Sequence, residues 1–235
     1  MMGKVFQLVV EGPSDVIVLK RLLGNLWANL SWKGKSPLYY SSLPEGAMLC
    51  IRELGGYQNL QNVKSELSLV KERGDCCITK NLLILDADAP MNAGGFGKRR
   101  EWVFSVLETL PPHSPVELFL LPDNKSDGTL ETLLLQARAA ATKSAEGCLQ
   151  AFCDCLNKHK VPYPLEEKMI FSLYAWLFDK TAASKCRVDT ALKADAVVDF
   201  KSPAFQPLET FLKTHLVPGV EEPLGSKDEQ VRTVL

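Results

Sequence analysis

Short apolar runs alternate along the chain with longer segments in which apolar residues recur every three or four positions. The runs predict β-strands at residues 4–10, 48–54, 82–85 and 116–121. The amphipathic segments predict helices at residues 14–30, 60–74, about 98–110 and from 129 onward. Ser14 is the expected N-cap of the first helix. The run at 82–85 contains no polar position, which predicts a central strand buried on both faces.

Four β-α units in succession predict an open α/β sheet, because parallel strands need crossover helices. We expect a Rossmann-like, mainly parallel sheet of four strands flanked by helices over residues 1–142. The strand signal then fades, and a helical extension packed on the core is expected over residues 143–218. Residues 219–235 are rich in Pro, Gly and charge, which predicts a flexible tail.

The composition is that of an ordinary globular protein. The chain has 235 residues, of which 46% are hydrophobic and 23% charged. These values exclude a disordered, collagen-like or coiled-coil protein. With 27 basic and 28 acidic residues the net charge is −1, so the chain as a whole has no electrostatic footprint for nucleic acid.

Neither a membrane nor a disulfide framework is expected. The longest apolar runs are strand-sized, whereas a bilayer-spanning helix needs roughly 20 apolar residues. The apolar run near the amino terminus fits a buried strand better than a signal peptide. The seven cysteines are an odd number, and their spacing does not fit a structural zinc site. We therefore expect reduced thiols and a cytoplasmic location.

Acidic residues recur where the predicted strands end. Glu11 follows the first strand, and Asp15 lies in the first turn of the next helix. Asp86 and Asp88 follow the third strand, and in extended backbone their side chains would leave on the same side. Glu131 lies in the first turn of the helix after the fourth strand. Since α/β sheets bind ligands outside the carboxyl ends of their strands, these five carboxylates are expected to converge.

Crowded carboxylates either acquire raised pKa values or recruit a cation. Oxygen ligands without a nearby histidine or cysteine favour Mg²⁺ or Mn²⁺ over zinc. Each acidic residue alone has a plainer explanation. The helix dipole favours Asp15 and Glu131 in any protein, and Glu11 can simply belong to a turn. The combination is more specific, and it predicts a site for one or two divalent ions.

The motifs that carry these residues resemble the Toprim domain, the metal-binding fold of topoisomerases, primases and OLD-family nucleases. VEGPSD contains Glu11 and Asp15 in the pattern E-G-x-x-[ED], and LLILDAD contains Asp86 and Asp88. Together with GGYQNL, LPDN and GTLETLL, these motifs resemble stand-alone Toprim-like bacterial proteins over roughly residues 4–180.

The resemblance implies a Toprim-like fold and a metal-dependent nuclease. It implies metal ligands at Glu11, Asp15, Asp86, Asp88 and Glu131, and catalytic roles for Glu11, Asp86, Asp88 and Lys168. Glu11 is alternatively a general acid or base, and Lys168 alternatively only a solvated helix residue. The implied substrate is nucleic acid, DNA being favoured over RNA, with a role in bacterial anti-phage defence.

The chain has no ATPase segment of the kind that full-length OLD proteins carry. This absence points to a partner ATPase acting in trans, whereas no membrane partner is expected. The oligomeric state is left open by the sequence, and a homodimer is one possibility.

Two other functions fit the same carboxylates. One is a non-catalytic module that binds metal or nucleic acid, or that regulates a partner. The other is a different Mg²⁺-dependent phosphotransferase with Asp86 as the nucleophile, although HAD-type enzymes carry their Asp-x-Asp pair on the first strand.

Two further signals concern contacts with nucleic acid. The Gly-rich loop at 92–97 lacks the P-loop pattern, and the Lys98-Arg99-Arg100 run after it fits phosphate contacts or a solvated helix start. The aromatic side chains of Trp27, Trp32, Tyr39 and Tyr40 could stack on bases, but packing within the protein is the favoured interpretation.

Overall fold

The structure is a computed structural model that describes residues 3–44, 46–67, 76–90, 94–109, 115–159, 167–178, 192 and 197–216. The strands are β1 (Gly3–Val10), β2 (Lys33–Lys35), β3 (Leu38–Ser42), β4 (Met48–Glu53), β5 (Cys76–Asp86) and β6 (Val116–Leu121). The helices within the described ranges are α1 (Pro13–Leu26), α2 (Leu60–Leu67), α3 (Phe96–Leu107), α4 (Leu130–Gln136), α5 (Glu146–Lys158), α6 (Glu167–Phe178) and α7 (Gln206–Leu216).

The strands form one six-stranded sheet in the order β2-β3-β4-β1-β5-β6. β4, β1, β5 and β6 pair in parallel, whereas β2 and β3 add an antiparallel edge. The predicted α/β class with a mainly parallel sheet is confirmed. The predicted strand count of four is wrong, because β2 and β3 were missed.

The missed strands lack the signal by which strands are recognised in a sequence. Residues 33–42 combine lysine, glycine, serine and proline with two tyrosines, and no apolar alternation runs through them. All three residues of β2 are exposed. These strands form because β3 extends the sheet beside β4, where Tyr39 pairs with Ile51. Pairing to a neighbour decides such a strand more than its own sequence does.

The sheet is covered on both faces. Leu82 and Ile84 belong to a core cluster with side chains of α1, α4, α6 and α7, and Leu83 and Leu85 belong to a second cluster with side chains of α2 and α3. This alternation confirms β5 as a strand buried on both faces.

β5 begins six residues before the apolar run from which it was predicted. Lys80 and Asn81 interrupt its apolar pattern, and Asn81 is fully buried. The Asn81 side chain accepts from Gln7 Nε2 at 3.2 Å and donates to the Leu67 carbonyl at 3.0 Å. A buried polar side chain with both groups satisfied can therefore lie inside a central strand.

The first helix differs from the prediction at both ends. Its N-cap is Gly12 rather than Ser14, because Pro13 occupies the first helical position, where a missing N–H costs nothing. The helix ends at Leu26, so Leu30 lies beyond it. This earlier start makes Asp15 the third residue of the helix, where its side chain accepts the N–H of the N-cap residue Gly12.

The carboxyl-terminal segments pack against the same core as α1. Phe171 and Tyr174 of α6 and Phe205 and Leu208 near the start of α7 belong to the cluster that contains the α1 side chains. A backbone hydrogen bond from Asp199 N–H to the Ala137 carbonyl at 2.8 Å ties the segment before α7 to the end of α4. The predicted tail at 219–235 lies outside the described residues.

No helix in the described ranges is long and apolar enough to cross a bilayer.

Candidate metal centre

The parallel pairing of β1 and β5 brings Glu11 and Asp86 to the same edge of the sheet. The Asp86 backbone N–H donates to Glu11 Oε1 at 2.9 Å. Two backbone donors after β4, the N–H groups of Gly55 and Gly56, bond the Glu11 carbonyl at 2.9 and 3.0 Å. The backbone of Glu11 is thus held by the neighbouring strand end, and its side chain bridges to the next one.

Asp15 reaches this edge from the first turn of α1. Its Oδ2 accepts the Gly12 N–H at 2.9 Å, so the side chain folds back toward the end of β1. The residue is only 7% exposed. A carboxylate in this position also interacts favourably with the positive end of the helix dipole.

Glu131 is brought to the same edge by α4. Asp86 Oδ1 accepts the Leu130 N–H at 2.8 Å, which ties the start of α4 to the end of β5. Glu131 Oε2 accepts a hydrogen bond from the Thr129 hydroxyl at 3.2 Å. β1, α1, β5 and α4 therefore each contribute one carboxylate to the edge.

These carboxylates repel one another in partly or wholly buried positions. Burial raises the pKa of Asp86 well above its usual range, and the charges of Asp15, Glu11 and Glu131 raise it further. Burial likewise raises the pKa of Asp15 to about 7, with added repulsion from Glu11 and Glu131. The pKa of Glu11 is raised by burial, although its backbone hydrogen bonds and Arg99 oppose the shift. Such an arrangement favours the binding of either protons or a cation.

Asp88 is held differently from Asp86. The strand ends at Asp86, and Asp88 has a φ of 60°, so the rule that predicted both side chains on one side does not extend to it. Its backbone exchanges two hydrogen bonds with Gly128, at 2.7 and 3.1 Å. Its Oδ2 forms an ion pair with the guanidinium of Arg99. Its charge still raises the pKa of Glu11, so Asp88 remains part of the edge.

Arg99 was not predicted as a site residue. Its side chain is 4% exposed, and its guanidinium carbon lies 3.2 Å from the centroid of the Tyr57 ring. The sequence contained a usable signal, since Arg99 shares a helix face with the buried Val103 and Val106 at spacings of four and seven. The Lys98-Arg99-Arg100 run predicts phosphate contacts or a solvated helix start, and the burial of Arg99 contradicts the second of these for that residue.

Two further predicted features lie partly outside the described residues. Lys168 is the second residue of α6, but its side chain is outside the described residues. Part of the Gly-rich loop at 92–97 is also outside them.

Two other carboxylates near the strand ends have local roles. Asp127 accepts the Phe96 N–H at 2.6 Å and so caps α3. Asp123 Oδ1 accepts the Ser126 N–H at 2.8 Å and so stabilises its own turn.

In the ranges the structure describes, no three side chains of histidine, cysteine, aspartate or glutamate are already arranged as a metal shell. Glu11, Asp15 and Asp86 each direct one oxygen at a backbone N–H. An ionised carboxylate has about four lone-pair sites, so each retains acceptor capacity. The donor set consists of oxygens alone, and Asp15 and Asp86 are repelled by the neighbouring carboxylates. It therefore fits a hard divalent cation.

A family model described as "Protein of unknown function (DUF3226)" matches residues 5–216, from β1 to the end of α7. The chain belongs to this family. The DUF3226 match includes every carboxylate of the edge. No curated protein and no solved structure matches the chain significantly.

Proposed function

We propose that this protein has a Toprim-like fold and is a Mg²⁺- or Mn²⁺-dependent nuclease that cleaves phosphodiester bonds in nucleic acid. One observation carries the proposal. Carboxylates from the end of β1, from α1, β5 and α4 meet at the carboxyl edge of the parallel strands, and the charges of their neighbours raise the pKa of Asp15 and of Asp86. Mutual repulsion of this kind destabilises the fold unless protons or cations offset it, so its presence favours a functional role.

The four carboxylates would hold one or two ions: Glu11, Asp15, Asp86 and Glu131. Asp88 already has a cationic partner in Arg99, which supports an outer position for it. Divalent ions in such a site neutralise phosphate charge and clamp the attacking and leaving oxygens of an in-line displacement.

The protein's own side chains have separate tasks in this scheme. Arg99 holds Asp88 against the start of α3 and lowers the pKa of Glu11. Where Glu11 does not bind an ion, the raised pKa of its carboxyl group favours its alternative role as a general acid that donates a proton to a leaving oxygen. Lys168 belongs to α6, which packs against α4, and its ammonium would offset phosphate charge.

A nicking assay on supercoiled plasmid DNA with Mn²⁺ or Mg²⁺ tests the proposal. Glu11→Ala and Asp86→Ala should each lose at least about 100-fold in rate, since replacing even outer partners of a metal site costs 10- to 100-fold. Asp123→Ala is the matched control, because this carboxylate follows β6 but only bonds its own turn. Equal nicking by the wild type and both site variants would overturn the assignment.

One observation favours a non-catalytic alternative. The Asp88–Arg99 ion pair and the backbone donors already satisfy part of the edge without an ion. A metal-binding regulatory module would show metal-dependent stabilisation with no cleavage of DNA or RNA.

The nuclease proposal also includes a partner ATPase, a preference for DNA and a role in anti-phage defence. A pull-down that depends on ATP tests the partner ATPase.

A further inference from the structure

The charged residues from 16 to 44 are all basic, although the chain as a whole is nearly neutral. No aspartate or glutamate occurs from Val16 to Pro44, whereas the same stretch contains Lys20, Arg21, Lys33 and Lys35. This stretch comprises most of α1 and the antiparallel strands β2 and β3. We call residues 33–42, which form β2, β3 and their turn, the edge hairpin.

One side of the edge hairpin packs against the protein. Tyr39 pairs with Ile51, whose side chain belongs to the core cluster with α1. The Lys20 ammonium lies 3.5 Å from the centroid of the Tyr39 ring and 5.5 Å from that of Trp32. Tyr39 and Trp32 are therefore packing residues, as expected from the sequence, and Lys20 joins α1 to this side of the hairpin.

The other side of the hairpin presents an aromatic ring among lysines. Tyr40 is 42% exposed and pairs with Lys33 across the two strands. A Cβ built on Gly34 would lie 3.1 Å from Tyr40 Cε1, so the ring packs over the glycine between Lys33 and Lys35. Both lysines are exposed. The exposed ring of Tyr40 thus packs over the glycine that separates two exposed lysines in the sequence.

Gly34 is required for this arrangement. Its φ is +87°, and a Cβ would also lie 2.5 Å from the Leu38 carbonyl oxygen. Only glycine adopts this conformation without strain and leaves room for the ring. The Lys-Gly-Lys sequence of β2 thus determines where Tyr40 lies.

The hairpin turn lies at the same edge of the sheet as the carboxylates. The Glu53 N–H donates to the Pro37 carbonyl at 2.8 Å, and the Ser36 hydroxyl donates to Glu53 Oε2 at 2.6 Å. Glu53 pairs in turn with Val10, the residue before Glu11. β2 lies three strand spacings from β1, which is about 14 Å.

The geometry points to a binding site for single-stranded nucleic acid on the edge hairpin, with a base stacked on Tyr40 and phosphates bound by Lys33 and Lys35. This inference rests on the proposed function, because it names the form in which the substrate approaches the carboxylate edge. Stacking on an exposed ring flanked by cations is a general means of binding single strands. A bound strand would extend from β2 across β3 and β4 toward Glu11.

The test is fluorescence anisotropy with a labelled single-stranded oligonucleotide, as DNA and as RNA, in buffer containing a chelator. Binding is then measured without cleavage, so that failure of the nuclease proposal alone leaves the result intact. Lys33→Ala/Lys35→Ala should weaken binding at least tenfold at low salt. It should also reduce the slope of log affinity against log salt by about 1.4, which is about 0.7 for each lost phosphate contact.

Tyr40→Ala should weaken binding by about tenfold with an unchanged salt slope, and Tyr40→Phe should restore it, because stacking needs only the ring. The matched charge control is Lys143→Ala/Lys158→Ala, which removes two exposed lysines from the carboxyl-terminal half. Circular dichroism verifies that each variant is folded.

Several results would overturn the inference. They are an absence of binding by the wild type, equal loss in the hairpin and control variants, and binding of a duplex as tight as that of the single strand. Unchanged binding in the hairpin variants would also overturn it. Lys33 and Lys35 would then serve only to keep an exposed edge strand from pairing with other chains.

Discussion

Among single residues, the carboxylates of the sheet edge differ in what opposes their charge. Asp86 and Asp15 are each held by a backbone N–H group and face further carboxylates. Asp88 has a guanidinium as its partner. Ionisation of the first two therefore costs the folded state free energy, whereas the charge of Asp88 is compensated. This contrast has consequences for pH dependence and for mutation.

We predict that the metal-free protein loses stability as pH rises from about 4 to about 7. Asp15 has a pKa of about 7 in the folded protein and about 4 when unfolded, so the folded state binds the extra proton in this window. The loss from this residue should be about 2 to 4 kcal/mol in the free energy of unfolding. Asp15→Asn keeps an acceptor for the Gly12 N–H and should flatten the profile. The free energy of unfolding of both proteins is measured against pH by denaturant unfolding. Parallel profiles for the wild type and Asp15→Asn would contradict the prediction.

We predict that Asp88→Ala destabilises the protein more than Arg99→Ala. Removing Asp88 leaves the Arg99 guanidinium, which is 4% exposed, without its carboxylate partner. Removing Arg99 leaves the Asp88 carboxylate, which is 25% exposed and can be hydrated. An unpaired buried charge costs about 3 to 5 kcal/mol, and a partly exposed one costs less. Urea unfolding of both single variants and the double variant measures the coupling. A double variant whose loss equals the sum of the two would show that the pair has no net interaction.

Among secondary-structure elements, the edge hairpin and the strand ends illustrate two ways in which a site is formed. β1 and β5 are predictable from their apolar runs, and their parallel pairing aligns Glu11 with Asp86. β2 and β3 are held by pairing to β4 and by the shape of Gly34. β1 and β5 are therefore determined by the burial of their apolar residues, whereas β2 and β3 are determined by specific contacts with β4 and around Gly34.

We predict that Gly34→Ala destabilises the hairpin by about 1 to 3 kcal/mol, because the residue has a φ of +87° and its Cβ would collide with the Leu38 carbonyl. Gly24→Ala in α1 is the matched control. A Cβ on Gly24 has nothing within 4 Å, so this change should stabilise the protein by up to about 1 kcal/mol. Amide hydrogen exchange should show faster exchange in residues 33–42 of the first variant alone. Unchanged protection there would refute the role assigned to Gly34.

At the scale of the whole molecule, the carboxylate edge depends on packing between distant segments. Glu11 and Asp86 are far apart in the chain, yet the Asp86 N–H donates to the Glu11 side chain, and the Leu130 N–H of α4 donates to the Asp86 side chain. Side chains of α6 and α7 complete the core cluster beneath α1 and α4. The packing of the whole fold therefore keeps carboxylates that repel one another close together.

We predict that Mn²⁺ raises the melting temperature of the wild type and leaves that of Asp86→Asn unchanged. A ligand at 100 times its dissociation constant adds about 2.7 kcal/mol to the free energy of unfolding. The shift should grow as pH rises, since the carboxylates must lose their protons to bind the ion. Asp123→Asn should respond like the wild type. Differential scanning fluorimetry measures these shifts, and equal shifts in all three proteins would exclude the proposed site.

Much of the fold follows from local patterns, whereas the errors lie where local patterns are silent. The runs that became β1, β4, β5 and β6 were recognisable because a strand buried in a parallel sheet must be apolar. The hairpin was missed because an exposed edge strand need not be. The N-cap was misplaced because Pro13 is favourable at the first helical position and Ser14 merely resembles a cap.

The sequence by itself determined the mainly parallel α/β class and the positions of Glu11, Asp15, Asp86, Asp88 and Glu131 relative to the elements, since both follow from burial and from strand ends. Only the tertiary structure decided which of these carboxylates repel one another, that Arg99 pairs with Asp88, and that Tyr40 lies over Gly34. Those facts depend on contacts between residues far apart in the chain, and charge and shape complementarity across such distances leaves no periodic trace in a single sequence.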